Sequence, residues 1–340
     1  MDKVVIGLVG LGYWGPNLMR NFSQLDNCRI KSCCDLDHNI LERIRNQYPG
    51  TNTTDDYASL LDDPEIDAIV IAVSALRHYE LAKQAILKGK HVFVEKPLTL
   101  SVSHAEELVK LAEVNNMKLM VGHLMEYHPA VEYLKNMIQN KELGDIYYLY
   151  SQRVNLGLIR KDENALWSFA PHDVSIIMYL LDSKPLNVSA RGQDYLQKDI
   201  EDVVFLNMLF PGKIMAQAQL SWLDPHKIRR ITIVGSRKMA VFDDQEPSEM
   251  VRIYDKGIAN SSGYKTYGES LSLRFGDVRI PYIKMAEPLR LECQHFVDCI
   301  KNDRQPRSDG EDGLRVVRVL QAAQESLDKE GTPVSLRESK

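Results

Sequence analysis

The sequence predicts two domains of different class: an α/β domain with a doubly wound parallel sheet, then an α+β domain with a large, mostly antiparallel open sheet. Its 340 residues suffice for about two domains of ordinary size. Strand-like and helix-like segments alternate from residue 3 to 122, as a parallel sheet requires. After residue 123 most segments have the pattern of strands joined by short turns, which indicates the antiparallel sheet.

The first half alternates in a regular order. Its predicted strands are apolar runs, in order "KVVIGLV", "RIKSCCD", "DAIVIAV", "HVFVEKP" and "KLMVG". The helices between them have apolar residues at helical spacing, in "WGPNLMRNFSQL", "HNILERIRNQY", "HYELAKQAILKGK" and "SVSHAEELVKLAEVNNM". Pro16 suits the first turn of the first helix, and Gly89 suits the end of the third.

The second half contains few helices and many strands. Helices are predicted at "HPAVEYLKNMIQN" and "APHDVSIIMYLLD", and two more close the chain, at "LRLECQHFVDCIKN" and "GLRVVRVLQAAQESLDKE". Seven strands are predicted, at "DIYYLYSQRVN", "VSARGQDY", "DVVFLNMLF", "KIMAQAQLSW", "IRRITIVGS", "MAVFDD" and "MVRIYDK". Residues 257 to 288 have weak periodicity and are predicted to be a long irregular excursion. Because these few helices leave one face of the sheet uncovered, we expect another subunit to cover it in a homodimer or homotetramer.

Composition excludes several classes of protein. Forty-two Lys and Arg against 47 Asp and Glu give a net charge of -5, and no basic block indicates nucleic-acid binding. No apolar run approaches the ~18 residues of a membrane span, and the N-terminus lacks the pattern of a signal peptide, so we expect a cytoplasmic protein. The five cysteines form no C-x-x-C pair, and we predict no metal site.

Three glycines follow the first strand in "GLVGLGYWGPNLMRNF" and match G-x-G-x-x-G. Gly10 would permit the tight turn, Gly12 would let the backbone approach a pyrophosphate, and Gly15 would let the helix lie close to the sheet. The free N–H groups at that helix start would then face the phosphates. Tyr13 and Trp14 lie within this loop and are candidate cofactor contacts. The alternative is a loop whose glycines serve packing only.

An acidic residue at the end of the next strand strengthens the dinucleotide prediction. Asp35 stands 20 positions past Gly15, where a carboxylate can accept hydrogen bonds from both ribose hydroxyls. Because it would repel the extra phosphate of NADP, Asp35 favours NAD as the cofactor. Asp37 could take the same role, and Arg43 leaves NADP as the lesser alternative.

The motif "HVFVEKPLTLS" places Glu95, Lys96 and Pro97 at the end of a parallel strand, where ligands usually bind. Together with the glycine loop, "GHLMEYHPAV" at 122 to 131, a histidine near 172 and "PRSDGEDGLRVVRVLQAAQESL", it resembles the glucose-fructose oxidoreductase and inositol dehydrogenase family, also called Gfo/Idh/MocA. The resemblance covers essentially the whole chain. It implies that Lys96 lies between nicotinamide and substrate, with Glu95 beside the cofactor, and that the Lys96–Pro97 bond is cis.

The resemblance also implies that His172 is the second catalytic residue. The family usually has an aspartate four positions before this histidine, but here Ser168 stands there. With Pro171 in the first turn of a helix, Asp173 would sit where an acid offsets the helix dipole. The same helix start should disfavour imidazolium at His172, leaving the neutral imidazole that a general base needs.

Other site predictions are less specific. Ser74 and His78 follow the strand "DAIVIAV" and are predicted to contact the cofactor, although Val73-Ser74 replaces the Thr-Pro usual in the family. Candidate substrate contacts, besides Lys96 and His172, are Tyr127, Arg153, Asn155 and Asn164. The alternative for each is a packing or exposed edge residue.

The expected function is NAD-dependent hydride transfer between a sugar and nicotinamide. The expected domains are a Rossmann-type cofactor domain at 1–122, a substrate and oligomerisation domain at 123–308, and a C-terminal helix and tail at 309–340 packed on the rest. "LWSFAPHDVSI" is similar to family members acting on nucleotide-linked sugars, which favours a nucleotide-activated hexose such as a UDP-N-acetylhexosamine or dTDP-sugar, reacting at C3. A glycosidase that retains its NAD and a non-catalytic dinucleotide sensor are the alternatives.

Overall fold

The structure is a computed structural model that describes residues 3–157, 159–161, 163–260 and 271–337. Its helices, in chain order, are α1 (Gly15–Ser23), α2 (His38–Gln47), α3 (Tyr57–Leu61), α4 (His78–Leu87), α5 (Val102–Val114), α6 (Pro129–Gln139), α7 (Ala165–Leu181), α8 (Pro288–Lys301) and α9 (Gly310–Asp328). None of the helices in these ranges is both long enough and apolar enough to cross a bilayer.

The strands alternate with the helices at first and then follow one another. In chain order they are β1 (Val4–Val9), β2 (Cys28–Cys34), β3 (Asn52–Thr54), β4 (Ala68–Ile71), β5 (His91–Glu95), β6 (Leu119–Gly122), β7 (Ile146–Val154), β8 (Asn187–Gln193), β9 (Val203–Leu209), β10 (Met215–Ser221), β11 (Ile228–Gly235), β12 (Met239–Asp243), β13 (Val251–Asn260), β14 (Leu271–Arg279) and β15 (Val334–Ser335). The chain forms two compact units, each described in turn below.

The first unit contains Met1–Tyr127 and Ala286–Arg318. Its six-stranded sheet has the order β3-β2-β1-β4-β5-β6, and every pair is parallel, which confirms the predicted doubly wound fold. Alternate strand residues point into two separate cores. One core packs β1, β4 and β5 against α1, α2 and α8, and the other packs them against α4, α5 and α9. Strand β3 and helix α3 were not predicted, because segments this short carry too little periodicity.

Helix α8 belongs to the first unit, which differs from the predicted boundary. Its residues Leu289, Cys293, Phe296 and Val297 are buried in the same core as α1 and α2. The expected second domain, residues 123–308, therefore includes a segment from Ala286 onward that belongs to the first unit. The expected C-terminal segment, residues 309–340, is divided between the two units after Arg318. Sequence patterning shows that α8 has an apolar face but not which sheet that face covers.

The second unit contains His128–Met285 and Val319–Lys340. Its nine-stranded sheet has the order β14-β13-β12-β11-β7-β10-β9-β8-β15, with only the β7–β10 pair parallel. The seven predicted strands correspond to β7 through β13. The predicted irregular excursion is wrong in part: β13 extends to Asn260 and pairs with β14, while residues 261–270 lie outside the described residues. In β14 the side chains from residue 273 onward have no buried face, so no alternation of apolar and polar residues marks the strand.

One face of this sheet is covered and the other is open. Helix α7 packs on β7, β9 and β10, where Ala216, Ala218 and Leu220 are buried. On the opposite face Tyr148, Tyr150, Phe205, Asn207, Met215 and Gln217 are exposed. A cavity of about 460 Å³ opens among β7, β8, β9 and β10. The second unit thus has the uncovered sheet surface that the sequence predicts.

Candidate active site

The glycine loop between β1 and α1 has the tight turn predicted at Gly10 and the close helix packing predicted at Gly15. Gly10 has a φ of +89°, and a Cβ there would lie 2.6 Å from the carbonyl oxygen of Ala72. A Cβ on Gly15 would lie 2.1 Å from the Gly10 oxygen, so the start of α1 packs directly on the turn. A Cβ on Gly12 would meet nothing within 4 Å. The backbone at Gly12 is therefore open to a ligand, as pyrophosphate binding needs.

Asp35 follows β2 and lies against the glycine loop. Its Oδ2 accepts a hydrogen bond of 2.7 Å from the Leu11 N–H, and its Oδ1 accepts one of 3.0 Å from the Asp37 N–H. Asp37 instead caps α2, accepting from the Asn39 N–H at 2.9 Å. Of the two predicted ribose ligands, Asp35 is thus the one that is hydrogen-bonded to the glycine loop.

Three large apolar side chains are exposed beside this loop and the neighbouring strand ends. Tyr13 is 88% exposed, Leu36 after β2 is 84% exposed, and Leu76 after β4 is 68% exposed. Exposed apolar side chains near a concave edge commonly cover the flat parts of a bound ligand. Sequence reasoning missed Leu36 and Leu76, although each lies within two residues of a predicted contact, Asp35 or Ser74.

The Lys96 turn follows β5, and its Lys96–Pro97 bond is cis, as the resemblance implies. His78 lies beneath the turn: its Nδ1 is 2.7 Å from the Pro97 carbonyl oxygen and its Nε2 is 3.1 Å from the Val73 carbonyl oxygen. Burial lowers the pKa of His78. The ring is buried between two loops rather than facing a ligand, so its placement differs from the predicted cofactor contact. Ser74 is exposed on the same loop.

A buried ion-pair cluster follows β6, and sequence reasoning missed it. His123 Nδ1 lies 2.6 Å from Asp312 Oδ2 and 3.5 Å from Glu126 Oε1. Burial opposes a charged imidazole, but Asp312 and Glu126 together raise the pKa of His123 to about 10. Burial, followed by the charge of Asp312, raises the pKa of Glu126 to about 8. One ligand-type atom from each residue lies within 4.8 Å of the others, so these three could also hold a cation.

Two further acids lie close to this cluster. The partly buried Glu95 accepts hydrogen bonds from the Trp14 side chain and from the Lys96 N–H, the latter at 3.3 Å. Glu292, on α8, is fully buried. Burial raises the pKa of Glu95 to about 7, and burial followed by the charge of Glu95 raises the pKa of Glu292 well above its usual range. Glu95 thus joins the glycine loop to the Lys96 turn.

Tyr127 is placed in the core of the first unit. Its hydroxyl lies 3.2 Å from Ser308 Oγ, and the guanidinium of Arg307 lies 4.9 Å from the centre of its ring. Only 3% of the residue is exposed. The structure therefore gives Tyr127 a packing position rather than the predicted substrate-contact position.

In the second unit, helix α7 starts earlier than predicted. Asn164 caps it, with Oδ1 accepting from the Trp167 N–H at 3.1 Å and Nδ2 donating to Glu201 at 2.6 Å. Pro171 lies inside the helix rather than in its first turn, and the partly buried His172 is well past the last free N–H group. The predicted effect of the helix start on His172 is therefore wrong. The predicted substrate contact Asn164 is occupied as a helix cap.

Asp173 pairs with a buried arginine instead of offsetting the helix dipole. Its Oδ2 accepts a 2.5 Å hydrogen bond from Arg153 Nε, and both side chains are buried. Arg153 is thus hydrogen-bonded to Asp173, the residue next to His172. Because Arg153 is buried, its position differs from the exposed one expected for a substrate contact. Asn155 follows β7, is partly buried, and donates its backbone N–H to the Ser221 oxygen at 3.1 Å. Ser168 is buried one turn before His172.

A parallel sheet with this glycine loop and acid defines a dinucleotide-binding domain, here in one chain with a second domain built on a large sheet. The chain belongs to the Gfo/Idh/MocA oxidoreductase family. The family's NAD-binding Rossmann-fold domain matches residues 4–123, and its C-terminal alpha/beta domain matches residues 135–336. The fold, the glycine loop and this membership support a nicotinamide dinucleotide as the cofactor.

Three relatives illustrate the chemistry found in similar chains. UDP-N-acetylglucosamine 3-dehydrogenase of Acidithiobacillus ferrooxidans is 25% identical over 256 residues, 74% of this chain and 76% of its own. A solved structure of that name has a TM-score of 0.81 at 21% identity, covering 97% of this chain and 99% of the other. The 2,7-anhydro-N-acetylneuraminate hydratase of Escherichia coli is 25% identical over 267 residues, 73% and 69% of the two chains. Glycosyl hydrolase family 109 protein 2 of Shewanella is 32% identical over 155 residues, 43% and 34% of the two chains.

Proposed function

We propose that this protein is an NAD-dependent oxidoreductase that transfers hydride between a ring carbon of a nucleotide-activated hexose and nicotinamide. The observation that carries the proposal lies within the first unit. Asp35 is hydrogen-bonded to the glycine loop, and Glu95 joins the same loop to the Lys96 turn. The groups proposed to bind the cofactor and the ammonium proposed to act in catalysis therefore follow strands of one sheet, at the same edge.

The residues present fit a dinucleotide. The open backbone at Gly12 and the N–H groups at the start of α1 would hold the pyrophosphate, and Asp35 would accept hydrogen bonds from the ribose hydroxyls. Tyr13, Leu36 and Ser74 are exposed along the same edge and would cover the rest of the ligand. The negative charge of Asp35 favours NAD over NADP. When bound, nicotinamide supplies the hydride acceptor or donor.

Lys96 and His172 are proposed to act on the reacting oxygen. In oxidation, His172 removes the hydroxyl proton as a general base, while the Lys96 ammonium hydrogen-bonds the oxygen and stabilises its developing negative charge. Reduction is the reverse. Ser168 supplies no carboxylate one turn before His172, and Asp173 is engaged by Arg153, so neither residue is proposed to share the proton. Arg153 acts indirectly, by fixing the helix that carries His172.

The sugar class is proposed from relatives and from the α7 segment. The dehydrogenase of Acidithiobacillus ferrooxidans is named for C3 of UDP-N-acetylglucosamine, which supports a UDP-N-acetylhexosamine or a dTDP-sugar reacting at C3. Asn155, which is partly buried just after β7, remains a proposed substrate contact.

The test is a screen of purified protein with NAD or NADP and a panel of UDP- and dTDP-sugars, measured by NADH or NADPH absorbance. We expect turnover with at least one sugar, greater with NAD. Lys96→Ala and His172→Ala serve as inactive controls, and Glu311→Gln, an exposed change in the first turn of α9, serves as the matched neutral control. Turnover that is unaffected by either alanine variant would contradict the mechanism.

A second candidate is chemistry with no net use of added NAD. The relatives named as a hydratase and as a family 109 glycosyl hydrolase favour it. Under this alternative the protein would retain its cofactor through purification and would convert a glycoside or anhydro sugar without changing the absorbance of added NAD. Mass spectrometry of the released dinucleotide and chromatography of the sugar products separate the two candidates. A dinucleotide sensor would bind NAD but would neither reduce it nor convert a sugar.

A further inference from the structure

The carboxylate of Glu95 lies in a narrow space between two loops. It accepts from the side chain of Trp14, which is the N-cap residue of α1, and from the backbone N–H of Lys96. Gly122, at the end of β6, makes room for it: a Cβ there would lie 3.1 Å from the carboxylate carbon and from both of its oxygens. Glu95 is therefore bonded to the glycine loop on one side and to the Lys96 turn on the other.

The charges around Glu95 oppose one another. Lys96 and His123 favour its ionised form, as do the hydrogen bonds from Trp14 and the Lys96 N–H. Burial disfavours that form and outweighs them, which raises the pKa of Glu95 to about 7. The α8 groups that interact with Glu95 are Glu292 and Cys293, and burial raises the pKa of both well above the usual range. Of Glu95, Glu292 and Cys293, Glu95 is the one whose pKa lies near neutral pH.

Glu292 differs from Glu95 in having no donor around it. Among the described residues, neither of its side-chain oxygens has a hydrogen-bond partner, and the residue is fully buried. Besides Glu95, the charges of His123 and Glu126 act on it, and its own charge would act on Tyr127. A carboxylate without donors in such a place is strongly disfavoured, so Glu292 is a neutral carboxylic acid.

The remaining members of the cluster balance one another. His123 is paired with Asp312, and Arg315 also contacts Asp312, with 3.0 Å between its Nη2 and Oδ1. Glu126 hydrogen-bonds Asp312. The cluster contains more acidic than basic side chains, and protonation of Glu126 and Glu292 reduces its net negative charge. A cation held by His123, Glu126 and Asp312 would be the competing arrangement.

We propose that Glu95 is a positioning residue whose ionised carboxylate ties the glycine loop, through Trp14, to the Lys96 turn, and that uptake of one proton by Glu95 releases this tie. Glu292 remains neutral throughout. Dinucleotide affinity consequently falls as the pH falls through neutrality, because the loop that contacts the pyrophosphate loses its anchor. The part of the proposal that concerns affinity rests on the proposed function, whereas the titration of Glu95 does not.

Trp14 provides a direct measurement on the protein without cofactor. The chain has three tryptophans, so the Trp14 signal is obtained as the difference between the fluorescence of wild type and that of Trp14→Phe. We expect this difference to titrate with a midpoint of about 7, and Glu95→Gln to abolish the titration. Glu292→Gln, which replaces a neutral acid by a neutral amide of the same size, should leave the midpoint unchanged.

Cofactor binding is then measured by calorimetry with NAD on both sides of the midpoint. We expect wild-type affinity to fall by up to about tenfold per pH unit below the midpoint, and Glu95→Gln to bind with little dependence on pH. A fluorescence titration that survives Glu95→Gln overturns the proposal, as does a midpoint that moves down by about one pH unit in Glu292→Gln. Stoichiometric metal in the purified protein would show that a cation, rather than protons, balances the charges of His123, Glu126 and Asp312, and it would overturn the proposal. A normal titration with no NAD binding leaves the proposal standing and contradicts the proposed function.

Discussion

Replacing Glu292 by glutamine should change how the stability of the first unit depends on pH. Glu292 is fully buried, and burial together with the charge of Glu95 raises its pKa well above the usual range. In the unfolded chain the same group ionises near its ordinary pKa of 4.5. Between these two values the folded state holds one more proton than the unfolded state, so the free energy of unfolding falls as the pH rises.

One such proton corresponds to a slope of about -1.4 kcal/mol per pH unit, because 2.303RT is about 1.36 kcal/mol. Glu292→Gln removes this contribution, since glutamine does not titrate. At pH values between the unfolded and folded pKa of Glu292, the variant should therefore gain about 1.4 kcal/mol relative to wild type for each pH unit. The gain at low pH should be small, because Glu292 is neutral there in both states.

The assay is urea unfolding of both proteins at several pH values, followed by tryptophan fluorescence, with the denaturant slope compared to confirm that the same surface unfolds. Glu325→Gln on α9, an exposed change in the second unit, is the matched control and should leave the wild-type slope intact. Parallel curves for wild type and Glu292→Gln would refute the reasoning, because they would mean that Glu292 carries the same charge in both states.

Four further outcomes are expected. Asp35→Ser should weaken NAD binding by about 1 to 3 kcal/mol in calorimetry and improve the relative use of NADP, and unchanged NAD affinity would exclude Asp35 as the ribose ligand. Lys96→Ala and His172→Ala should each lower kcat by about 10²- to 10⁴-fold in steady-state assays while NAD affinity is largely kept. Ser168→Asp should raise the pKa of His172, and thereby move the pH optimum for oxidation upward, since a nearby carboxylate favours imidazolium; an unmoved pH–rate profile would contradict the general-base role. Light scattering should detect a dimer or tetramer joined through the open face of the second sheet, and a monomer at micromolar concentration would count against that interface.

The fold could be predicted because its signals are local. Apolar runs such as β4 and helical spacing such as that of α5 lie within single short windows of sequence. The glycine loop carries its signal within six residues, and Gly10 and Gly15 have the predicted turn and packing geometries. The exceptions are instructive: β3 is too short to show a period, and β14 has no buried face to impose one.

Much of the candidate site could not be predicted, because it depends on contacts between distant parts of the chain. His123 and Asp312 are 189 positions apart, and Glu292 reaches the same cluster from α8. By contrast, the early start of α7 was detectable. Asn164 is a favoured N-cap residue that marks the true start. The predicted start was too late because proline is common in the first turn of a helix, whereas Pro171 lies inside α7.

Gly122, at the end of β6, is a glycine that provides space for a neighbouring side chain rather than backbone freedom. Its backbone does not need a positive φ, since it is not among the residues with that conformation, and it is paired in register with Glu95 across the β5–β6 ladder. Because a Cβ at this position would push the Glu95 carboxylate aside by a few tenths of an ångström, a saturation-mutagenesis library should record reduced tolerance of alanine in wild type. The same library built on Glu95→Ala should accept alanine, because the methyl group would then occupy the space of the missing carboxylate. Gly122 and Glu95 would thus behave as a covarying pair, in which the size of one residue determines the size permitted to the other.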